Sequence, residues 1–457
     1  MRELMNRKSL LLRLTVFTTF WLVSVLLYYP GGLSVDSFLV LEQANSGIIS
    51  DGYSPIHILF VKALYNLQSS YFLVIAVGLL FYHTGIFLIS YYLFRHSLKK
   101  TVLFSLFFLT FPPIAGIMGA LWSDVTMASL FILFIGLILT SLEVDSNKVY
   151  FSILFISALV LFLGMSQRHN GAAAALPLCI FFSYSLISRL RTKKSYLLSF
   201  IIGIFINISF FVVATSINNL TSVDKKNYWR SVPLYDIAAI SCSKKKLYFE
   251  QKIISETSLS NICSLYSKRS YLPLAFGEQV HAISDKEIYK GAPVYFIDSI
   301  VNLNEKIIAN WLHAVFNNFG YYVYHRFSLM YSMLTGSQWG LWVPVYNEIP
   351  PNDFGVDESS TYSSLYFMLM RGFNSIPVLS YPISYLIISL FVFVISTKHL
   401  LRDNSERYFI TLILSMSSIT HFSGLFFFAV SSDYRYAHWI VLSGLLSSFL
   451  LLHPRRT

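Results

Sequence analysis

Residues 70–94 read SYFLVIAVGLLFYHTGIFLISYYLF, with no Asp, Glu, Lys or Arg in the run. As a helix it would extend roughly 37 Å at about 1.5 Å per residue, which exceeds the roughly 30 Å hydrocarbon core of a bilayer. The rest of the 457-residue chain agrees: 55% of residues are hydrophobic and only 12% are charged. A soluble domain carries about 25% charged residues, so this composition and a mean hydropathy of +0.59 describe a bilayer protein. Aromatics reach 17%, many of which aromatic belts at the two interfaces would take up.

Working outward, comparable apolar stretches fall near 10–29, 101–120, 122–142, 149–166, 171–188, 195–215, 376–396, 408–430 and 437–452. With 70–94 these make about ten transmembrane helices. Pro112-Pro113 is expected to kink the third. Arg2, Arg7, Lys8 and Arg13 precede the apolar run Leu14–Leu27, as in a signal peptide, but Tyr28-Tyr29-Pro30-Gly31-Gly32 is no small-residue cleavage site. An uncleaved first helix is the expectation.

Charge assigns the sides. Segments 1–13, 95–100, 143–148, 189–194, 397–407 and 453–457 hold 17 Lys/Arg against 5 Asp/Glu, whereas 30–69, 120–124, 167–170 and 431–438 hold 3 against 5. The positive-inside rule places the first set, and both termini, in the cytoplasm. The net charge of +11 is therefore a topology signal and not a nucleic-acid footprint. Three modules result: an N-terminal transmembrane module at 1–215, a mainly α outer domain at 216–375, and a C-terminal transmembrane module at 376–457. The outer segment is nearly neutral, with 14 Lys/Arg and 13 Asp/Glu, and its most helical part is 301–334. Cys242 and Cys263 both fall there and could pair in an oxidising compartment, while Cys179 sits in an apolar helix. No Cys/His spacing resembles a zinc site, and no metal or other cofactor is expected.

The polar residues that a membrane protein does not need collect in the outer connections. The first loop opens with Tyr29-Pro30-Gly31-Gly32-Leu33-Ser34-Val35-Asp36-Ser37 and continues to Asp51-Gly52-Tyr53-Ser54-Pro55-Ile56-His57. Two short interfacial helices are expected in it. In the second, Ile56, Leu59, Phe60, Ala63, Leu64 and Leu67 recur at helical spacing, with His57 and Lys62 on the polar side. Asp36 is either part of a helix cap with Ser34 or a general base at the lipid–water boundary. Trp122-Ser123-Asp124 forms a tight turn in which Asp124 is either an N-cap or a second functional acid.

Arg168, in Gln167-Arg168-His169-Asn170-Gly171, runs against the positive-inside bias; it either snorkels to headgroups or grips a phosphate bidentately. Asp433-Tyr434-Arg435-Tyr436 again sets Asp and Arg at the boundary, as a local surface pair or as site residues. Four connections, far apart in sequence, thus each carry Asp, Arg or both. Carboxylates that accept a proton, with guanidinium groups that hold a phosphate, suit the displacement of a lipid phosphate from a sugar.

These features resemble the GT-C superfamily of glycosyltransferases: an acidic first outer loop with two interfacial helices, a second acidic outer turn and a late outer domain. The pairs Pro30-Gly31 and Asp36-Ser37, the turn Arg168-His169-Asn170-Gly171 and the motif Asp433-Tyr434-Arg435-Tyr436 are similar to bacterial multi-pass families within it. Pro233-Leu234-Tyr235-Asp236-Ile237-Ala238-Ala239 and the stretch Trp311 to Arg326 share that likeness. The resemblance implies an inner-membrane enzyme with a periplasmic site. It would move a sugar, with glucose the first candidate, from undecaprenyl phosphate to a glycan acceptor such as lipopolysaccharide O-antigen, beside a donor-lipid synthase and a flippase. It further implies Asp36 as base and Asp124 as second acid. Arg168, Arg435 and Lys62 would hold the donor phosphate, with His57, His169, Asn170 and Asp433 orienting substrates. The first loop lacks an adjacent Asp-Asp or Asp-x-Asp, against a metal.

Two other readings stay open. A lipid-linked-sugar flippase or transporter would need ionisable groups near the midplane; His83 and His421 are the main ones. An O-antigen ligase or polymerase would share the cleft and the phosphate-binding arginines.

Overall fold

The computed structural model describes residues 7–190, 195–225, 227–249, 259–276, 307–336, 342–352, 354–356, 361–403 and 405–452, with side chains from residue 11 and, in the 361–374 helix, from residue 364. Among them the protein is all-α, with nine helices long and apolar enough to cross a membrane. They lie in α1 (Arg7–Tyr28), α4 (Phe72–Phe94), α7 (Ser123–Ser141), α8 (Asn147–Ser166), α9 (Gly171–Leu190), α10 (Tyr196–Thr221), α18 (Pro382–Asp403), α19 (Glu406–Phe428) and α20 (His438–Leu452), the last extended by a 3-10 turn at Tyr434–Ala437.

The expected tenth helix is corrected. Pro112-Pro113 ends the helix instead of kinking it, because a proline ring clashes with the preceding turn and lacks the amide hydrogen needed to continue. α5 (Leu98–Thr110) stops there and α6 (Pro112–Ala115) is a single turn. The thirteen residues of α5 cover only about 20 Å. The chain still traverses the bundle. Near its start the Arg13 guanidinium donates to Thr101 Oγ1 (2.9 Å) and to the Arg95 carbonyl (2.6 Å). Beyond its end Gly32, just past α1, pairs with Gly119 and Leu121. Residues 98–121 therefore run from one end of α1 to the other as a broken crossing.

α7 is the centre, 83% buried, whereas the spans of α1 and α10 are 17% buried and form the lipid-facing rim. α4 and α7 approach through glycines. A Cβ on Gly85 would lie 2.5 Å from the Ile132 carbonyl carbon, and one on Gly136 would lie 2.9 Å from the Gly85 oxygen. Small residues permit this backbone contact, which supplies dispersion where no hydrophobic drive acts between helices in lipid.

Two interfacial helices fill the first loop, α2 (Val35–Ser46) and α3 (Pro55–Gln68). Ser34 caps α2 reciprocally with Ser37, and Pro55 starts α3 at a position where its missing donor costs nothing. The expected polar side of α3 is corrected at His57. Ile56, His57, Ile58 and Val61 are buried, while Leu59 and Leu67 are exposed. The helix rotates because Gln167 offers a partner for the His57 ring, which removes the penalty for burying it.

The described residues of 216–375 divide between two cores. Val345, Ile349, Tyr366 and Phe367 join the main bundle core, with Tyr366 edge-on to Tyr28. α11 (Ser231–Lys244), α12 (Leu259–Leu265), α13 (Leu272–Phe276), α14 (Ile307–Asn317) and α15 (Phe319–Thr335) build a second core that takes in Leu386, Leu425 and Ile440. Of the expected helical stretch 301–334, residues 301–306 lie outside the described residues. Cys242 and Cys263 are disulfide-bonded, and Cys179 is free and buried.

Candidate active site

Asp36 sits in the first turn of α2, where the helix N-terminus favours a carboxylate. Its Oδ1 accepts from the Tyr53 hydroxyl (2.9 Å) and its Oδ2 pairs with Nη2 of Arg435. The same Nη2 donates to Oδ2 of Asp433 (3.2 Å), whose Oδ1 accepts from Ser431 Oγ (2.8 Å). Across from this trio Arg168 Nη1 donates to Asp124 Oδ2 at 2.6 Å. The Tyr436 ring is shared by the two arginines, 4.5 Å from the guanidinium carbon of Arg168 and 5.4 Å from that of Arg435, each in cation–π range. The Trp122 ring supports Arg435 at 5.1 Å and donates through Nε1 to Ser34 Oγ. The four separate connections thus converge at one end of the bundle.

The bland alternatives give way at three positions. Asp124 is no cap: Trp122 holds that place, and the buried Asp124 carboxylate points at Arg168. Arg168 does not snorkel, since Asp124 and Tyr436 engage it. Asp433 and Arg435 do pair with each other, but Asp36 makes the pair into a trio.

Exposure separates the carboxylates. The side chain of Asp36 is 38% exposed, against 6% for Asp433 and 3% for Asp124. Burial pushes the Asp36 carboxyl up, but Arg435, the Tyr53 hydroxyl and Arg168 outweigh it, and the net direction is down. Burial pushes Asp433 up, and Arg435 only partly offsets it. Tyr53 is pushed far above its ordinary value by burial and by Asp36, so it remains a donor. Burial would lower Arg168, yet Asp124 and Tyr436 tip it upward, and it stays charged.

The other expected residues are placed less uniformly. His57 is buried behind Arg168, its Nδ1 2.7 Å from Gln167 Oε1; burial and then Arg168 push it down to about 4, so it is neutral near pH 7. His169 is exposed in the turn beside the Asp51 backbone. Asn170 Oδ1 is buried with no partner, an acceptor that is costly to leave bare. Lys62 is not brought to the cluster. Its Nζ lies beside Gly47, at the far end of α2 from Asp36, because α3 runs antiparallel to the site across the first loop. Among the described residues no group of three His, Cys, Asp or Glu stands close enough for a metal.

Tyr53, Tyr436 and Ser431 were not legible as contributors. Nothing in the spacing of a lone tyrosine tells that it faces a carboxylate seventeen residues earlier. A second buried network braces the site from behind. Asp236 Oδ2 accepts from Arg326 Nη2 (2.7 Å) and from Trp311 Nε1 (2.9 Å), and Arg326 Nη1 donates to the Ala429 carbonyl (2.6 Å). Strand-like pairing of Ser270 with Ser431 and a bond from Ser432 N to the Arg269 carbonyl continue that brace into the Asp433 loop. Asp236 lies in the stretch Pro233–Ala239, and Arg326 closes the stretch that begins at Trp311.

No protein-family model matches the chain, and no curated protein matches it. Among solved structures, the crystal structure of ArnT from Cupriavidus metallidurans bound to undecaprenyl phosphate is similar over 96% of this chain and 77% of that chain, at 12% identity and a TM-score of 0.31. That overlap is too low to assign a fold family, and the chemistry rests on the side chains described above.

Proposed function

We propose that this chain is a GT-C-type inverting glycosyltransferase of the bacterial inner membrane. It moves a sugar, with glucose the first candidate, from undecaprenyl phosphate to a periplasmic glycan such as lipopolysaccharide O-antigen. The observation that carries the reading is the meeting of Asp36 with Arg435, and of Asp124 with Arg168, around one tyrosine ring at the bundle end.

The chemistry follows from exchange of partners. A donor phosphate that reaches Arg435 competes with Asp36 for the guanidinium. Asp36 then loses its opposing charge, and its proton affinity rises towards that of a useful base. The acceptor hydroxyl gives its proton to Asp36, its oxygen bonds to the anomeric carbon, and the bond from that carbon to the phosphate oxygen breaks. The electron pair leaves with the lipid phosphate, whose charge Arg435 and Arg168 neutralise. Attack opposite the leaving group inverts the centre. Asp124 fixes Arg168 through their ion pair, while Asp433 fixes Arg435. Asn170 Oδ1, which has no partner, would accept from a sugar hydroxyl. His57 acts through Gln167 on the 167–170 turn, and Lys62 drops out of the phosphate site.

The test is purified full-length protein in nanodiscs, incubated with a panel of undecaprenyl-phosphate sugars and envelope glycan, with transfer read by mass spectrometry. A glycan heavier by one sugar supports the reading. Transfer of a whole glycan between lipids would establish the ligase or polymerase alternative. Movement of intact lipid-linked sugar across the bilayer, without bond cleavage, would establish the flippase.

A further inference from the structure

α14 and α15 carry an apolar face that the described residues leave uncovered. Ile308, Leu312 and Phe316 recur every four residues on α14, and Phe319, Phe327 and Tyr331 continue the stripe on α15. Exposure is large, 75% at Phe316, 59% at Phe327 and 70% at Tyr331. Burial of such a side chain is worth about 1.5–3 kcal/mol, so a run of them facing water would be costly. Neither helix is among the candidate spans, because both are too short.

Two observations say what covers the face. α15 packs on α18 and α19, with the Phe327 ring 5.2 Å from Phe426. Phe426 in turn meets Phe427 at 5.3 Å and Phe427 meets Phe428 at 6.5 Å, so the aromatic contacts continue from α15 onto the exposed end of the α19 span. Cations rim the stripe. Lys244 Nζ lies 4.7 Å from the Tyr321 ring, and Lys268 Nζ donates to the Tyr324 hydroxyl at 3.1 Å. Lys245 and Lys246 are exposed beside them. Aromatic bodies below and lysines above are what an interfacial element presents to lipid.

We propose that the α14–α15 pair is an interfacial arm, immersed in the leaflet at the end of the bundle that bears the Asp36 cluster, and that Lys244, Lys245, Lys246 and Lys268 bind the anionic headgroups of that leaflet. The arm carries the Arg326 brace, so its depth in the lipid sets the height of the Asp433 loop. The inference stands on packing and charge and is independent of the reaction assigned above.

The test uses the full chain in nanodiscs with nitroxide labels at Phe316→Cys, Phe327→Cys, Tyr331→Cys or Lys245→Cys. Cys179 is buried and the other two cysteines are bridged, so only the new thiol reacts. The expected result is loss of access to a water-soluble nickel relaxant at the three aromatic positions, with oxygen access kept, and nickel access at Lys245. Equal nickel access at all four positions would overturn the proposal. Dipolar broadening between labels would overturn it in favour of a second copy on the face. In discs containing phosphatidylglycerol, each of Lys244→Ser, Lys245→Ser and Lys246→Ser should lower retention of that lipid about fivefold. Retention equal to wild type in all three would remove the headgroup half of the proposal.

Discussion

Replacing Arg435 by alanine removes one guanidinium and strands two carboxylates of different exposure. Asp433 is almost enclosed, with 6% of its side chain exposed, and Ser431 is its one other described hydrogen-bond donor. Breaking a buried pair by deleting one partner typically costs about 3–5 kcal/mol, because a buried charge is left uncompensated. Asp36 is 38% exposed, and loss of its share of the pair is worth at most about 1 kcal/mol. Arg435→Ala should therefore cost about 3–4 kcal/mol, dominated by Asp433. Asp433→Asn removes the stranded charge, so the double variant Asp433→Asn/Arg435→Ala should recover more than half of that loss. Their coupling is then about 2 kcal/mol, readable as a double-mutant cycle in denaturant unfolding of the micelle-bound protein followed by circular dichroism. Transfer should stay absent in both, since the phosphate has lost its main ligand. A strictly additive cycle, or a double variant that regains activity with stability, would refute the buried-trio reasoning.

Other expectations follow from single features. His57 is held neutral, its value pushed down to about 4, while the unfolded chain binds a proton near the ordinary 6.5. The unfolded state thus holds more protons between these values, so stability should fall as pH drops from about 6.5 through 4. Thermal unfolding of His57→Gln should show a shallower slope than wild type over that range. Lys62→Ala should leave donor-lipid affinity unchanged by titration, because its ammonium sits at the far end of α2. Gly85→Ala puts a methyl group 2.5 Å from the Ile132 backbone and should cost about 1–3 kcal/mol in the same unfolding assay, whereas Gly78→Ala, which meets nothing, should not.

Much of this architecture is legible in the chain because hydropathy acts locally. The charge-free run that became α4 needs no tertiary information. The third crossing is less legible, since Pro112-Pro113 permits either a kinked helix or a broken one, and the choice is made by the Gly32–Gly119 contact beyond it. On α3 the exposed leucines fit a stripe that faces lipid, but His57 reads as exposed from the pattern alone, because its partner Gln167 comes 110 residues later. At the site, Asp36, Asp124, Arg168 and Arg435 stand out because each is expensive at a membrane boundary. Their pairing is invisible, since nothing in sequence joins Asp36 to Arg435 rather than to Arg168. The Asp236–Arg326 pair, 90 residues apart, lay within two stretches that drew notice without revealing their bond.

The base role of Asp36 is tested most directly by single-turnover transfer and donor-lipid binding measured side by side on Asp36→Asn in nanodiscs. The expected result is donor affinity equal to wild type or tighter, because the Asp36 carboxylate no longer competes for Arg435, together with loss of sugar transfer. Transfer at the wild-type rate by that variant would contradict it.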